Sequence, residues 1–333
     1  MLARIAHELF WLGRSVARAE HTARMLDGVL QASLQGRPDD PAGVRLGWRS
    51  LPAIMGASSR GEADRAFTRD EVLHSLTLDP DNPASVVACV ARARELARTL
   101  RDVVSAEMWE AINTTELNLR GSGMGAAVAR DPYSVYAYVR ERAALFWGLT
   151  SRTMLRDEAS AFLAAGGRIE SGDMVLRMLR VALPPASGDD GPERGQALAL
   201  LQAVGGFQAY RRAVPAPPNA VPVARFLLFE RAYPDSVAAA VESALNALER
   251  ADRNPRNSEP VLRLQRLSAD LEFRGRAQAA GADLHGTLQA AQEELAKVAT
   301  DIAERYFAGT PDAFAVGWHG AAERPGAKVG GRA

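Results

Sequence analysis

LFWLGRSVARAEHTARMLDGVL, residues 9–30, returns 153 positions later as FLAAGGRIESGDMVLRMLRVAL, residues 162–183. At that offset Gly13 meets Gly166, Val16 meets Ile169, Glu20 meets Asp173, Arg24 meets Arg177 and Leu26 meets Leu179. A second echo, at an offset of 151, aligns LTLDPDNPASVVACV (76–90) with LLFERAYPDSVAAAV (227–241) through Pro83/Pro234, Ser85/Ser236 and Val86/Val237. Between the two, Leu51 and Gly56 match Leu200 and Gly205 at 149. Three blocks in one order, at nearly one offset, imply duplication of a unit of about 150 residues.

Both copies carry helical periodicity. Ile5, Leu9, Leu12, Val16, Ala19, Ala23, Leu26 and Leu30 follow a 4-3-4-3 spacing that places them on one stripe of a helix about 30 residues long. The matching stripe is Phe162, Ala165, Ile169, Gly172, Leu176, Leu179 and Leu183, and both stripes should face a core. A third runs from Val86 through Val90, Ala93, Ala97, Leu100 and Val104 to Met108, with helix-entry chemistry at Asp81, Asn82 and Pro83. The pattern predicts further helices at about 44–56, 133–155, 193–212, 234–251, 259–278 and 283–308. Breaks are expected where Gly, Pro, Asp and Asn cluster, at 36–43, 120–132, 184–195, 214–219 and 251–260. Strand signals are nearly absent. The expected architecture is all-α: an internally duplicated antiparallel helical bundle, with units at 1–156 and 157–309 packed together and a loose tail at 310–333.

The 333 residues carry 40 basic and 40 acidic side chains, and Lys297 and Lys328 are the only lysines. A duplex binder usually has a clustered basic excess, so nucleic acid is not an expected partner. No apolar run approaches the length of a membrane span, and Arg4, His7, Glu8 and Arg14 interrupt any leader-like stretch, so a cytoplasmic protein without a membrane partner is expected. Cys89, the single cysteine, falls on an apolar helical face where an inert thiol is expected.

His7, Trp11, Arg14, Arg18 and His21 share a helix face at 4-3-4-3 spacing. Glu20 precedes Arg24 by four residues, as Asp173 precedes Arg177, the favourable order for a helical ion pair. Two meanings stay open at this point. One is a pair of surface bridges contributing roughly 0.3–0.5 kcal/mol each. The other is a polar seam between two related helices, whose arginine forks suit carboxylate or phosphate groups. Ser105 to Asn113 crowds Glu107, Trp109 and Glu110 at what reads as the end of the third long helix. Glu71-x-x-His74 supplies one Glu-x-x-His where a di-iron bundle needs two, so neither metal nor cofactor is expected. The glycines of Gly121-Ser-Gly-Met-Gly125 lack the Lys-Ser/Thr ending of a phosphate loop and read as a flexible connection.

In combination these strings resemble the alpha-E domain family. MLARIAHELFWLGRSVARAEHTARMLD is similar to its opening signature, through Gly13-Arg14, Arg18-Ala19-Glu20 and Thr22-Ala23-Arg24. Asn82-Pro83-x-Ser85, Ser105-x-Glu107-Met108-Trp109-Glu110-x-x-Asn113, and the run from Leu145 through Thr150, Thr153, Met154 and Arg156 to Glu158 resemble later blocks, over about residues 1–308 in all. Two departures stand out. Ala17 occupies the place of a glutamate before Arg-Ala-Glu, whereas the second copy keeps Glu170 and spells Gly166-Gly167 and Glu170-Ser171-Gly172-Asp173. A site that needs both glutamates is incomplete in this chain.

The resemblance implies a bacterial system in which a circularly permuted ATP-grasp protein, with a transglutaminase-like peptidase, makes or modifies a peptide or amide bond. The expected role is an accessory component that binds a partner or peptide through Arg14, Arg18, Glu20, His21, Arg24, Trp109, Asn113, Arg156, Glu158 and Arg177. The alternative is an enzyme of amide-bond chemistry in its own right, with Glu170, Asp173, Glu107 or Glu110 as acid and base.

Overall fold

A computed structural model describes residues 1–34, 46–56, 67–183, 193–277 and 283–309. The expected break at 36–43, residues 184–192 of the break expected at 184–195, and the expected tail from Thr310 lie outside the described residues, while 193–195 already belong to a helix.

Among those residues every regular element is helical. They are α1 (Ala3–Leu34), α2 (Leu51–Met55), α3 (Arg69–Leu73) running into a π turn (His74–Leu78), α4 (Val86–Thr99), α5 (Ala106–Leu119), α6 (Met124–Arg130) and α7 (Pro132–Thr153). Then follow α8 (Glu158–Ala182), α9 (Glu193–Ala203), α10 (Phe207–Ala213), α11 (Ala220–Phe229), α12 (Val237–Ala251), a 3₁₀ turn (Pro255–Asn257), α13 (Glu259–Arg276) and α14 (Leu284–Tyr306).

Helices α1 and α8 are the centre, packed along each other. α1 also meets α4 and α7, and α8 meets α12 and α14, while α5 and α13 cover α4 and α12. The short helices reach across: α9 lies on α1, and α2 touches α8. Leu9, Leu12, Ala23 and Leu26 are wholly buried, as the first stripe requires. What the stripe does not convey is that the opposite face of α1 is buried too, including His7, Arg14, Arg18 and His21.

Glycine permits that central contact. A Cβ on Gly13 would stand 2.1 Å from the Leu163 carbonyl oxygen, and one on Gly166 would stand 2.0 Å from that of Phe10. Those are backbone atoms, so a side chain at either position pushes the two helices apart. Gly28 does the same for α9, since its Cβ would lie 2.7 Å from the Ala203 nitrogen.

Side-chain caps open several of the helices. Ser85, Ser105 and Ser236 each accept a backbone N–H of their first turn, opening α4, α5 and α12, and Asp131 and Asp157 open α7 and α8 in the same way. Thr68 and Glu71 form a capping box at α3, which commits the Glu71 carboxylate to the Thr68 backbone N–H at 2.8 Å.

Several expectations about elements are corrected. The stripe from Val86 to Met108 is two helices, because the chain turns at Leu100–Val104 and restarts on the Ser105 cap, so Ser105–Asn113 opens a helix rather than ending one. The helix expected at 193–212 divides at Gly205, whose φ of +70° terminates α9. The break expected at 120–132 contains α6, and α11 was not anticipated. The helix expected at 44–56 is confined, within its described part, to Leu51–Met55 and ends on Gly56 at φ +76°.

Candidate functional site: a buried charge triad beside an open cleft

Directly beyond the glycine contact, Arg14 and Arg18 of α1 meet Glu170 of α8. Arg14 donates to Glu170 Oε2 from Nε at 2.9 Å, and Arg18 donates from Nε to Oε1. Glu170 is wholly buried, and the two arginines are 4% and 1% exposed. Spacing explains the fork: residues four apart on α1 stand one turn apart on one face, so two guanidiniums reach the two oxygens of one carboxylate. Burial by itself would raise the Glu170 carboxyl. The adjacent charges of Arg18 and Arg14 outweigh it and hold the group down at about 2. The Arg14 guanidinium also lies 5.1 Å from the centroid of Trp11.

The i, i+4 pairs expected on each central helix are formed. Arg24 donates to Glu20 Oε1 at 2.7 Å, and Arg177 donates to Asp173 Oδ2 at 2.9 Å. Both arginines also reach a neighbouring short element, Arg177 a helix and Arg24 the turn that follows α9. Arg177 donates to the Ile54 carbonyl of α2 at 3.3 Å, while Arg24 Nη1 lies 2.7 Å from where a Cβ on Gly205 would stand.

The remaining predicted residues lie elsewhere. Glu107 and Glu110 are exposed on α5, so the four candidate carboxylates do not share the enclosed setting of Glu170. Trp109 is half-buried under the Arg101 guanidinium, 4.4 Å from its ring centroid, and Asn113 accepts from Arg94 Nε at 2.9 Å. Glu158 accepts from the Met1 amino group at 2.8 Å.

His21 and Arg156 come together in a different place. They help line a cleft of about 680 Å³ between α1, the α7–α8 connection, α8 and the start and end of α12. At its floor His21 Nε2 stands 3.0 Å from Ser171 Oγ, and Ser171 also donates to the Gly167 carbonyl at 3.0 Å. Trp147 forms a wall against Gly167, where a Cβ would come within 2.5 Å of the indole. Arg168 and Asp235 pair across one edge at 3.8 Å, and Arg250 stands on the rim. Sequence reasoning missed Trp147, Arg168, Ser171, Asp235 and Arg250. Trp147 sits inside the motif beginning at Leu145, but no spacing rule brings Arg250 near His21.

Cys89 is wholly buried on α4. Burial pushes its thiol up to about 11, against the opposing pull of Arg92 and Arg18. Alkylation near neutral pH should therefore run on the order of 100-fold slower in the native protein than after denaturation. A thiol titration with and without guanidinium checks this; equal rates would mean that α4 opens readily. Among the described residues no group of three or more His, Cys, Asp and Glu could hold a metal ion, and no helix is long and apolar enough to cross a membrane.

The Alpha-E family model, a predicted alpha-helical domain with a conserved ER motif, matches residues 1–307. Uncharacterised proteins of Mycobacterium bovis and Mycobacterium tuberculosis are 26% identical over 251 residues, covering 70% of this chain and 28% of their own length. The chain thus spans less than a third of the curated relatives it matches. No solved structure matches it.

Proposed function

The chain belongs to the Alpha-E family, and on that premise we propose that it is an accessory, binding component of an ATP-grasp peptide- or amide-ligase system. It takes a partner or peptide at the cleft beside its central helices. The family resemblance supplies the partner class, an ATP-grasp protein and with it a transglutaminase-like peptidase. The observation that carries the binding role is the division of labour between triad and cleft. Arg14 and Arg18 both donate to Glu170 in the interior and staple α1 to α8. The adjoining cleft is open and lined by further polar groups. In the M. bovis and M. tuberculosis relatives the matched segment is a minor part of a longer polypeptide, which suits a module that works beside others.

A stand-alone amide enzyme has less support. A general acid must hold a proton at working pH, and Glu170 is held near 2 between two guanidiniums.

The internal duplication belongs to the same proposal. Gly13 and Gly166 face each other's helix, and Gly56 and Gly205 both end short helices at positive φ. Ser85 and Ser236 cap α4 and α12, and Glu20–Arg24 and Asp173–Arg177 are matching pairs. At the repeat offset Arg14, Ala17 and Arg18 correspond to Gly167, Glu170 and Ser171. One triad is charged and its mirror, Gly167, Ser171 and Ala17, is small and neutral. A charged residue lost alone would leave a buried charge uncompensated.

Capture of the tagged chain from its native cells, read by mass spectrometry, tests the role. Near-stoichiometric recovery of an ATP-grasp protein is expected. A folded, partnerless chain would overturn it.

A further inference from the structure

The cleft holds two kinds of positive group, and they differ in how they are satisfied. Arg168 is engaged with Asp235 and with the Pro234 carbonyl at 3.3 Å, and Glu20 is engaged with Arg24. The two acidic groups lining the cleft are therefore both matched already. Arg156, on the α7–α8 connection, and Arg250, on α12, are exposed, and neither makes an ion pair among the described residues. Two guanidiniums from separate elements thus overhang one opening with no paired anion among the described residues.

Beneath them lies a polar group that the fold leaves incomplete. His21 is 2% exposed, and with Nε2 facing Ser171 its Nδ1 is buried without a hydrogen-bond partner among the described residues. A buried polar atom left unmatched costs stability unless something completes it, and His21 is one of the residues lining the cleft. Beside these polar groups Trp147, Met154 and Leu155 supply apolar wall, with Leu155 78% exposed although it is a large aliphatic residue.

From this combination we infer that the cleft is a recognition site for an acidic peptide: carboxylates engage Arg156 and Arg250, a polar atom of the chain completes His21, and an apolar side chain lies on Trp147 and Leu155. Arginine forks match carboxylates in two-pronged geometry, and here they stand on two separate elements. The inference deepens the binding role proposed above by naming the ligand class.

The test is fluorescence anisotropy with a dye-labelled octapeptide of alternating Leu and Glu, ending in a free carboxylate, on the full chain. Saturable binding is expected, with none for the matching Leu/Lys octapeptide. The Arg156→Ala/Arg250→Ala variant should weaken binding at least tenfold while its unfolding midpoint stays unchanged, since both residues are exposed. Arg130→Ala/Arg212→Ala, an exposed pair outside the cleft with the same charge change, should bind as the wild type does. Absence of saturable binding, equal affinity in the cleft variant, equal loss in the control pair, or displacement by inorganic phosphate at matched concentration would each overturn the inference. Failure to capture an ATP-grasp protein would retire the ligase role and leave a positive peptide result standing. A captured ATP-grasp protein with a cleft indifferent to the peptide would retire this inference alone.

Discussion

Glu170→Gln is expected to destabilise the protein by about 3–5 kcal/mol, because it removes the only anion of a buried triad and strands two guanidiniums in the interior. For a chain of this size that corresponds to a fall of about 4–7 °C in the thermal midpoint. The triple variant Arg14→Leu/Arg18→Leu/Glu170→Leu should lose less than the single one, since it removes the charges together instead of leaving a remainder. The pH dependence follows from the direction of the shift. Glu170 is depressed from an ordinary 4.5 to about 2, so its contribution is fully present above the ordinary value and is lost as pH falls from there toward about 2. Denaturant titrations of the wild type should show that decline, and the glutamine variant should lack this component. A single variant as stable as the wild type would mean that α1 and α8 are not joined through these groups.

Gly166→Ala is expected to cost about 3 kcal/mol or more, against the sign of helix propensity. In an open helix, alanine for glycine gains about 1 kcal/mol. Here the new methyl would lie 2.0 Å from the Phe10 carbonyl oxygen, a backbone atom that moves only if α1 moves, so overpacking wins. Gly148, exposed on α7 with nothing near its missing Cβ, gives the contrast: Gly148→Ala should stabilise by about 0.5–1 kcal/mol. Chemical denaturation of both variants separates the effects. Equal stabilisation by both would exclude a close α1–α8 approach.

These outcomes bear on what a linear sequence conveys. The stripe from Ile5 to Leu30 identified the core face of α1, because periodicity reports which residues share a side. It was silent about the other side. Arg14 and Arg18 read as a solvated or ligand-facing surface, since an arginine pattern does not distinguish water from a carboxylate on another helix. The alignment at 153 did hold a hint, in that Ala17 stands opposite Glu170 while Arg18 stands opposite Ser171. The turn after Leu100 lacks both glycine and proline, so only the Ser105 cap announced that a helix restarts there. Arg156 and Arg250 share a cleft because α12 packs on α8, a relation between elements that no spacing within either contains.

The central claim is that the staple is structural and the cleft is the face that engages partners. Hydrogen exchange on the tagged chain, alone and in complex with the ATP-grasp protein it captures, tests this most directly. The account predicts slowed exchange in the α7–α8 connection around Arg156 and at the ends of α12 around Asp235 and Arg250, with α5 unchanged. Protection confined to α5 around Glu107 and Glu110, with the cleft unaffected, would contradict it.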